Sequence, residues 1–372
     1  MKQSNRMFRW FSGLVLCTCL LCLCLLVYQP WEDGITVVLC TDAMAAHEPE
    51  KDGSLHIVTM NFPGYDFARQ VAGDGAEVTM LIPPGADSHS FEPSPKDVLA
   101  IQNADLFIYT GGESDSWIDR LLASMGDAAP ETLRMMDVVT VLAEEHTASM
   151  LSDHAHDHEH DADTCTDETH DHNTEPEHDT TLCTDDSHHH QHAEELDEHV
   201  WTSPRNAILI VEAIADKLGQ LYPASAEAFR TNAAAYTAQI DAIDHAFAEV
   251  VANGQRDLII FGDRFPLRYF ADAYGLRYDA AFPGCSEDSE PSVRTVISLV
   301  DTVRAEGVPV VFHIEYSSQK TARILAEETG AQLRLFHGCH TVSWEEIEAG
   351  ATYVSLMQQN VEALKEALNG CL

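Results

Sequence analysis

The chain has 372 residues, of which 61 are Asp or Glu and only 21 are Lys or Arg, so its formal net charge is −40. A surface this acidic repels phosphate backbones and anionic lipid head groups, which excludes nucleic-acid binding as a main function. Apolar residues make up 45% of the chain, enough to form hydrophobic cores. At roughly 150 residues per domain, the length predicts two domains with residues to spare.

The first forty residues have the pattern of an export signal. Lys2, Arg6 and Arg9 precede an apolar run over residues 10–28, as in the basic and hydrophobic regions of a secretory signal. The run is nearly long enough to span a bilayer. Cysteines within or just after it keep a lipid anchor as an alternative: Cys17, Cys19, Cys22, Cys24 and Cys40. We therefore expect export, with residues 1–40 acting as a signal peptide or N-terminal membrane anchor, and we favour a tethered protein.

Short apolar runs alternate with helical patterns over residues 54–221, which form the first predicted lobe. Strands are predicted at 55–60, 78–82 and 106–109, with a fourth within 133–141, and helices at 67–71, 95–102 and 204–221. This alternation is typical of βαβ units and a parallel sheet.

One segment of this lobe, residues 146–195, departs from the pattern. Between Arg134 and Arg205 the chain has no Lys or Arg, and this window holds 13 of the 20 histidines together with many carboxylates. Such a stretch buries too little apolar surface to offset its chain entropy. We expect a disordered, His-rich insertion that collects metal ions through many weak ligands.

The second half repeats the α/β rhythm after a long helix. Apolar positions at helical spacing predict a helix over 224–251, which would span about 40 Å within a connecting segment at 222–254. Residues 255–372 form the second predicted lobe, with strands at 258–261, 276–282, 308–314 and 332–336 and helices at 267–273, 293–305, 319–328 and 349–368. The predicted fold is α/β, with two lobes that each hold a four-stranded, mainly parallel sheet flanked by helices.

Side chains that bind metals follow several of the predicted strands. They are His89, His199, Asp263, His313, Glu315, His337 and His340. Because ligands in open α/β sheets bind beyond the carboxyl ends of strands, these residues are candidates for one shared site. Imidazole and carboxylate together suit zinc and other borderline divalent metals.

Four stretches, at 61–68, 84–95, 197–204 and 269–276, resemble the zinc/manganese substrate-binding proteins of bacterial ABC transporters. The resemblance runs in order from about residue 54 to the C-terminus. The acidic His-rich insertion is similar to that of the zinc-uptake branch. The resemblance implies two α/β lobes, a rigid connecting helix, one metal ion in the cleft between the lobes, and a monomer that serves an ABC permease.

Carried over residue by residue, the resemblance implies His89 and His199 as the first two ligands. The family's third ligand, a His or Glu, precedes a Tyr-Phe helix; this chain offers Asp263 there instead. The family's fourth ligand is a carboxylate late in the second lobe. We expect His340 in that role, with Glu315, His337 and His313 as alternates, so the set of ligands stays open.

We expect zinc as the cargo, with manganese as the alternative, because manganese prefers more oxygen ligands. The function expected is that of an exported zinc receptor and not of an enzyme. A metal-dependent surface adhesin and, less strongly, a metal-dependent hydrolase are the competing hypotheses. Cys285 and Cys339 both lie just beyond predicted strands, and in an exported protein they are a candidate disulfide pair.

Overall fold

Two four-stranded sheets form the framework of the protein. The computed structural model describes residues 55–86, 91–150, 195–286 and 290–370. The strands are β1 Leu55–Thr59, β2 Ala76–Met80, β3 Leu106–Tyr109, β4 Glu131–Arg134, β5 Leu258–Phe265, β6 Arg277–Pro283, β7 Val310–His313 and β8 Gln332–Leu335. The helices are α1 Phe62–Ala72, α2 Pro95–Asn103, α3 Ser116–Met125, α4 Pro204–Leu221, α5 Ala226–Ala252, α6 Arg268–Tyr274, α7 Val293–Glu306, α8 Lys320–Thr329, α9 Trp344–Glu348 and α10 Tyr353–Asn369.

The two sheets have the same strand order, β2-β1-β3-β4 in the first lobe and β6-β5-β7-β8 in the second. Every strand pair in them is parallel. Parallel strands end at a common edge, so the segments that follow them meet at one side of each sheet. The prediction of two α/β lobes with four-stranded parallel sheets is confirmed.

Each sheet is covered on both faces, as parallel sheets require. In β1, Leu55 and Ile57 belong to the central core, whereas Val58 belongs to a second cluster on the opposite face. A third cluster covers the outer face of the second sheet. The central core runs without interruption from the first lobe through the long helix into the second lobe, so the two lobes share one hydrophobic interior.

Helix α5 is the predicted connecting helix. Its 27 residues span about 40 Å at 1.5 Å per residue. Its buried positions recur every three or four residues, which places them on one stripe; they are Phe229, Ala233, Tyr236, Ile240, Ile243 and Phe247. The stripe packs on α4 and α1 of the first lobe and on α10 of the second lobe.

A buried carboxylate, Asp66, ties three of these helices together. It lies on α1 and accepts hydrogen bonds from the hydroxyl of Tyr236 on α5 and, at 2.9 Å, from the backbone N–H of Tyr353 on α10. Burial raises the pKa of Asp66, and these hydrogen bonds act in the opposite direction. The clamp fixes the first lobe, the long helix and the last helix against one another.

The structure differs from the sequence prediction at several places. In the first lobe, helix α3 was not predicted, and β2 lies two residues earlier than expected. Strand β5 was predicted to end at residue 261 but continues to Phe265, with an irregular register between Phe261 and Arg264. The helix predicted over 349–368 begins four residues later, as α10, because Gly350 adopts a φ of 77° and Thr352 caps the start of α10. The short helix α9 precedes the predicted range and was not predicted.

Several predicted features fall outside the described residues. The export segment at 1–40 and nearly all of the His-rich insertion lie there. Among the helices that the structure describes, none combines the length and apolar character needed to cross a bilayer.

Candidate metal centre

His199 lies in the segment that returns from the His-rich insertion to helix α4. The chain turns there through a short 3-10 helix, Val200–Thr202, before Pro204 begins α4. Asp197 fixes the imidazole in place: its Oδ1 accepts the His199 backbone N–H at 2.8 Å and lies 3.1 Å from the ring Nδ1. A carboxylate that binds one ring nitrogen leaves the other nitrogen oriented toward a metal, and metal-binding histidines commonly have such a partner.

The His199 imidazole is almost completely buried. Burial acts to lower its pKa, but the Asp197 carboxylate and the Cys285 thiol together hold the pKa of His199 well above its usual range. Asp197 thus makes this ring a stronger base, and the ring must release its proton before it binds a cation.

His340 comes from the other lobe, in a tight turn after β8. Glu315, which follows β7, holds this turn: its Oε2 accepts the backbone N–H of Gly338 at 2.7 Å and its Oε1 accepts that of His340 at 3.0 Å. Cys339 between them has a φ of 57°, a left-handed conformation that is uncommon for a residue with a side chain. Such strain is kept where surrounding contacts enforce it, often at functional sites.

The structure brings these two histidines together. Their ring centroids lie 5.2 Å apart with nearly perpendicular planes. Trp201 supports both rings, at centroid distances of 5.6 Å from His199 and 5.1 Å from His340. Its indole Nε1–H donates to the carbonyl of Gly338 at 2.8 Å, so the segment after the insertion is joined directly to the His340 turn.

His89 lies outside the described residues, but the segment that leads to it is visible. The backbone N–H of Gly85 donates to the Thr341 hydroxyl at 3.2 Å, next to His340 in the sequence. Gly85, four residues before His89, therefore lies beside the turn that carries His340.

Asp263 lies on the extension of β5. Burial raises its pKa, while hydrogen bonds from Ser317 and the backbone lower it, and His313 adds a favourable charge interaction. Its Oδ2 is buried without a hydrogen-bond partner among the described residues. The residues just after Asp263 pack against two turns. Phe265 and Pro266 lie against Gly284, and Pro266 also lies against Gly338.

The three alternate ligands have other partners in the structure. His313 ends β7 and its Nδ1 lies 3.0 Å from the carbonyl of Ile314. Both Glu315 oxygens accept backbone N–H groups, as described above. His337 is buried, and its Nδ1 accepts the backbone N–H of Cys339 at 2.9 Å; its Nε2 has no hydrogen-bond partner in the described part of the chain.

The candidate disulfide is not formed. Cys285 and Cys339 are both free thiols in the structure. Cys339 is fully buried, with its sulfur 3.9 Å from the carbonyl of His337. The Cys285 thiol instead shares a hydrogen bond with the His199 ring. The sequence showed only that Cys285 follows a strand. It did not show that its side chain meets His199, because the direction of a side chain depends on the turn that carries it.

A comparison with known families supports a metal-binding role. The family described as periplasmic zinc-uptake complex component A (ZnuA) matches residues 57–367. The chain belongs to this family. That range covers both lobes and the segments that carry His199 and His340.

Individual relatives agree with this assignment. The zinc-binding lipoprotein AdcA of Streptococcus pneumoniae is 34% identical over 326 residues, which is 86% of this chain and 57% of AdcA. The chain thus spans less than two thirds of that relative's length. The high-affinity zinc uptake system protein ZnuA of Bacillus subtilis is 29% identical over 353 residues, with 92% of this chain and 99% of the relative covered.

Solved structures show the same fold. The Zn(II)-bound ZnuA-like domain of Streptococcus pneumoniae AdcA superposes with a TM-score of 0.64 at 29% identity, covering 85% of this chain and all of that one. The metal-dependent lipoprotein YcdH of Bacillus subtilis gives a TM-score of 0.65 at 26% identity, with the same coverage.

Proposed function

We propose that this chain is an exported receptor that captures one Zn²⁺ ion in the cleft between its lobes and delivers it to the permease of an ABC transporter. The observation that carries the proposal is the meeting of His199 and His340, one from each lobe, at a centroid distance of 5.2 Å. The names of the relatives, as zinc-binding and zinc-uptake proteins, support zinc as the cargo.

The proposed ligands are His89, His199 and His340, with Asp263 as the fourth. Three imidazoles and one carboxylate suit a tetrahedral zinc ion, whereas manganese prefers more oxygen ligands. The Oδ2 of Asp263 is buried and has no hydrogen-bond partner in the described part of the chain, which supports its role as the carboxylate ligand. Glu315 is better explained as a brace, because both of its oxygens already accept backbone N–H groups of the His340 turn.

Division of the ligands between two lobes gives the receptor a route to release. A full set of four protein ligands holds zinc firmly and leaves no open position for a catalytic water, which favours a receptor over a hydrolase. A small displacement of the lobes on docking to the permease would separate the ligands and weaken the site. Zinc release that is equally fast with and without the permease would contradict this part of the proposal.

The N-terminal segment, with its basic residues and apolar run, supports export and attachment to the outer face of the cell membrane. The lipoprotein name of AdcA agrees with this location. Fractionation tests it: the full chain should sediment with membranes, and a chain that starts at residue 41 should not.

A chelator competition tests the metal site. The full chain, loaded with excess zinc, is dialysed against a strong chelator, which strips the weak ions from the His-rich insertion. We expect one zinc ion per chain to remain, and His199→Ala and His340→Ala each to lose it. His245→Ala is the matched control, because this histidine is exposed on α5 and pairs with Asp241 of the same helix. Retention of the resistant ion in both cleft variants would refute the assignment.

A further inference from the structure

A second group of metal-binding side chains lies at the stem of the His-rich insertion. The two sides of the stem are paired: Ala143 bridges Leu196 in antiparallel fashion, and the Glu144 backbone N–H donates to the Glu195 carbonyl at 2.8 Å. This pairing sets the Glu144 and Glu195 side chains at the point where the described chain enters and leaves the insertion.

Cys285, in the turn after β6 of the second lobe, completes the group. Its backbone N–H donates to Glu144 Oε1 at 2.8 Å. One donor atom from each of Glu144, Glu195 and Cys285 lies within 4.8 Å of the other two. In a tetrahedral zinc site, metal–ligand distances of about 2.0–2.3 Å put the donors roughly 3.5 Å apart. Movements of about 1 Å, which the exposed Glu195 and half-buried Glu144 allow, would bring the three donors to binding distance.

A buried carboxylate, that of Asp197, lies beside this group and interacts electrostatically with Cys285. Asp197 is 1% exposed, and its Oδ2 has no hydrogen-bond partner among the described residues. This oxygen faces the backbone of Gly284, the residue before Cys285, where an added Cβ would lie 3.3 Å from it. A buried carboxylate oxygen without a donor is costly unless a cation compensates for it nearby.

The charge around the stem also favours a cation. The carboxylates of Glu144, Glu113 and Glu198 act electrostatically on Glu195, with His146 the opposing group. A divalent ion would offset this repulsion. Binding would convert the Cys285 thiol to a thiolate, with its proton released to solvent.

We propose that Glu144, Glu195 and Cys285 form a second metal site, which binds a divalent, sulfur-tolerant ion such as Zn²⁺ with an open coordination position. The site is distinct from the His199 and His340 pair but adjoins it, because the Cys285 thiol contacts the His199 ring. An ion bound at the stem would therefore adjoin His199 and could pass from Cys285 to that ring. The existence of the stem site does not depend on the receptor function; only its role in passing metal to the cleft rests on the proposed function.

Cobalt(II) is the probe, because a thiolate ligand gives it a charge-transfer band in the near ultraviolet that carboxylate and imidazole ligands lack. The full chain first receives one equivalent of zinc, to fill the cleft, and is then titrated with cobalt. Cys285→Ser should lose a part of the band that Cys371→Ser retains. Glu195→Gln should lower the cobalt affinity measured from the Cys285-dependent band by tenfold or more. Glu227→Gln, the control, should leave this affinity unchanged, because Glu227 is exposed in the first turn of α5 and lies outside the group.

Two results would overturn the stem site. An identical band in Cys285→Ser and the unmodified chain would show that this thiol binds no metal. Loss of the chelator-resistant zinc in Cys285→Ser would show that the cysteine belongs to the cleft instead. Absence of any chelator-resistant zinc in the unmodified chain would contradict the receptor function alone, and a persistent Cys285-dependent band in that case would still support the stem site.

Discussion

Glu315→Gln tests whether Glu315 braces the His340 turn or binds the metal itself. The carboxylate side chain is only 6% exposed, and its two oxygens accept the backbone N–H groups of Gly338 and His340. A glutamine keeps one acceptor oxygen but turns an NH₂ group toward the second N–H. One hydrogen bond to a charged acceptor is lost and one buried donor is left without a partner.

A hydrogen bond to a charged group contributes about 1.5–3 kcal/mol, and the exposed fraction is too small for water to replace it. We therefore expect the unfolding free energy of the metal-free protein to fall by about 2 kcal/mol. Because the turn positions His340, zinc affinity should fall by about 10–100-fold, as is typical when a group behind a metal ligand is changed.

The assay has two parts. Urea unfolding of the protein in excess chelator, followed by tryptophan fluorescence, measures the stability change without metal. Competition with a chromophoric chelator measures the zinc affinity. Glu345→Gln is the control, since this neighbouring glutamate is exposed on α9. If metal-free stability is unchanged while zinc affinity collapses, Glu315 acts as a ligand and the reasoning is wrong.

Three further predictions follow from the fold and the centre. Deletion of residues 151–194 should reduce the number of zinc ions bound, counted by native mass spectrometry, but leave one tight ion; loss of that ion would move the tight site into the insertion. Asp66→Ala strands the Tyr236 hydroxyl and the Tyr353 N–H and should cost about 2–5 kcal/mol, seen in chemical unfolding, whereas an unchanged midpoint would argue against the clamp. Trp201→Phe removes the donor to the Gly338 carbonyl. Chelator competition should show zinc binding weakened by up to about tenfold, which corresponds to about 1.4 kcal/mol. Equal affinity would show that this hydrogen bond does not position His340.

The regular elements were predictable because their patterns are local. Buried parallel strands are short apolar runs, and the stripe on α5 recurs at helical spacing, so both appear in the sequence. The extension of β5 did not, because Gly262, Asp263 and Arg264 resemble a loop. The structure keeps them in a strand: Gly262 packs so closely on α8 that an added Cβ would lie 2.2 Å from Ala322 Cα.

The site was predictable only in part. The residue types after strands predict His199 and His340 as ligands of one site, and the structure places their ring centroids 5.2 Å apart. The residue types did not separate the roles of Glu315 and His340. That distinction depends on which backbone N–H groups Glu315 accepts, and on the left-handed turn at Cys339. The same holds for Cys285: its contact with His199 arises between segments 86 residues apart, and no local pattern signals it.

The central claim is that His199 and His340 bind one ion together. A crystal structure of the protein loaded with a single equivalent of zinc, with the metal located by its anomalous scattering, tests this most directly. The account predicts one strong peak about 2.0–2.1 Å from an imidazole nitrogen of each residue. A peak bound to only one of these histidines, or to neither, would contradict it.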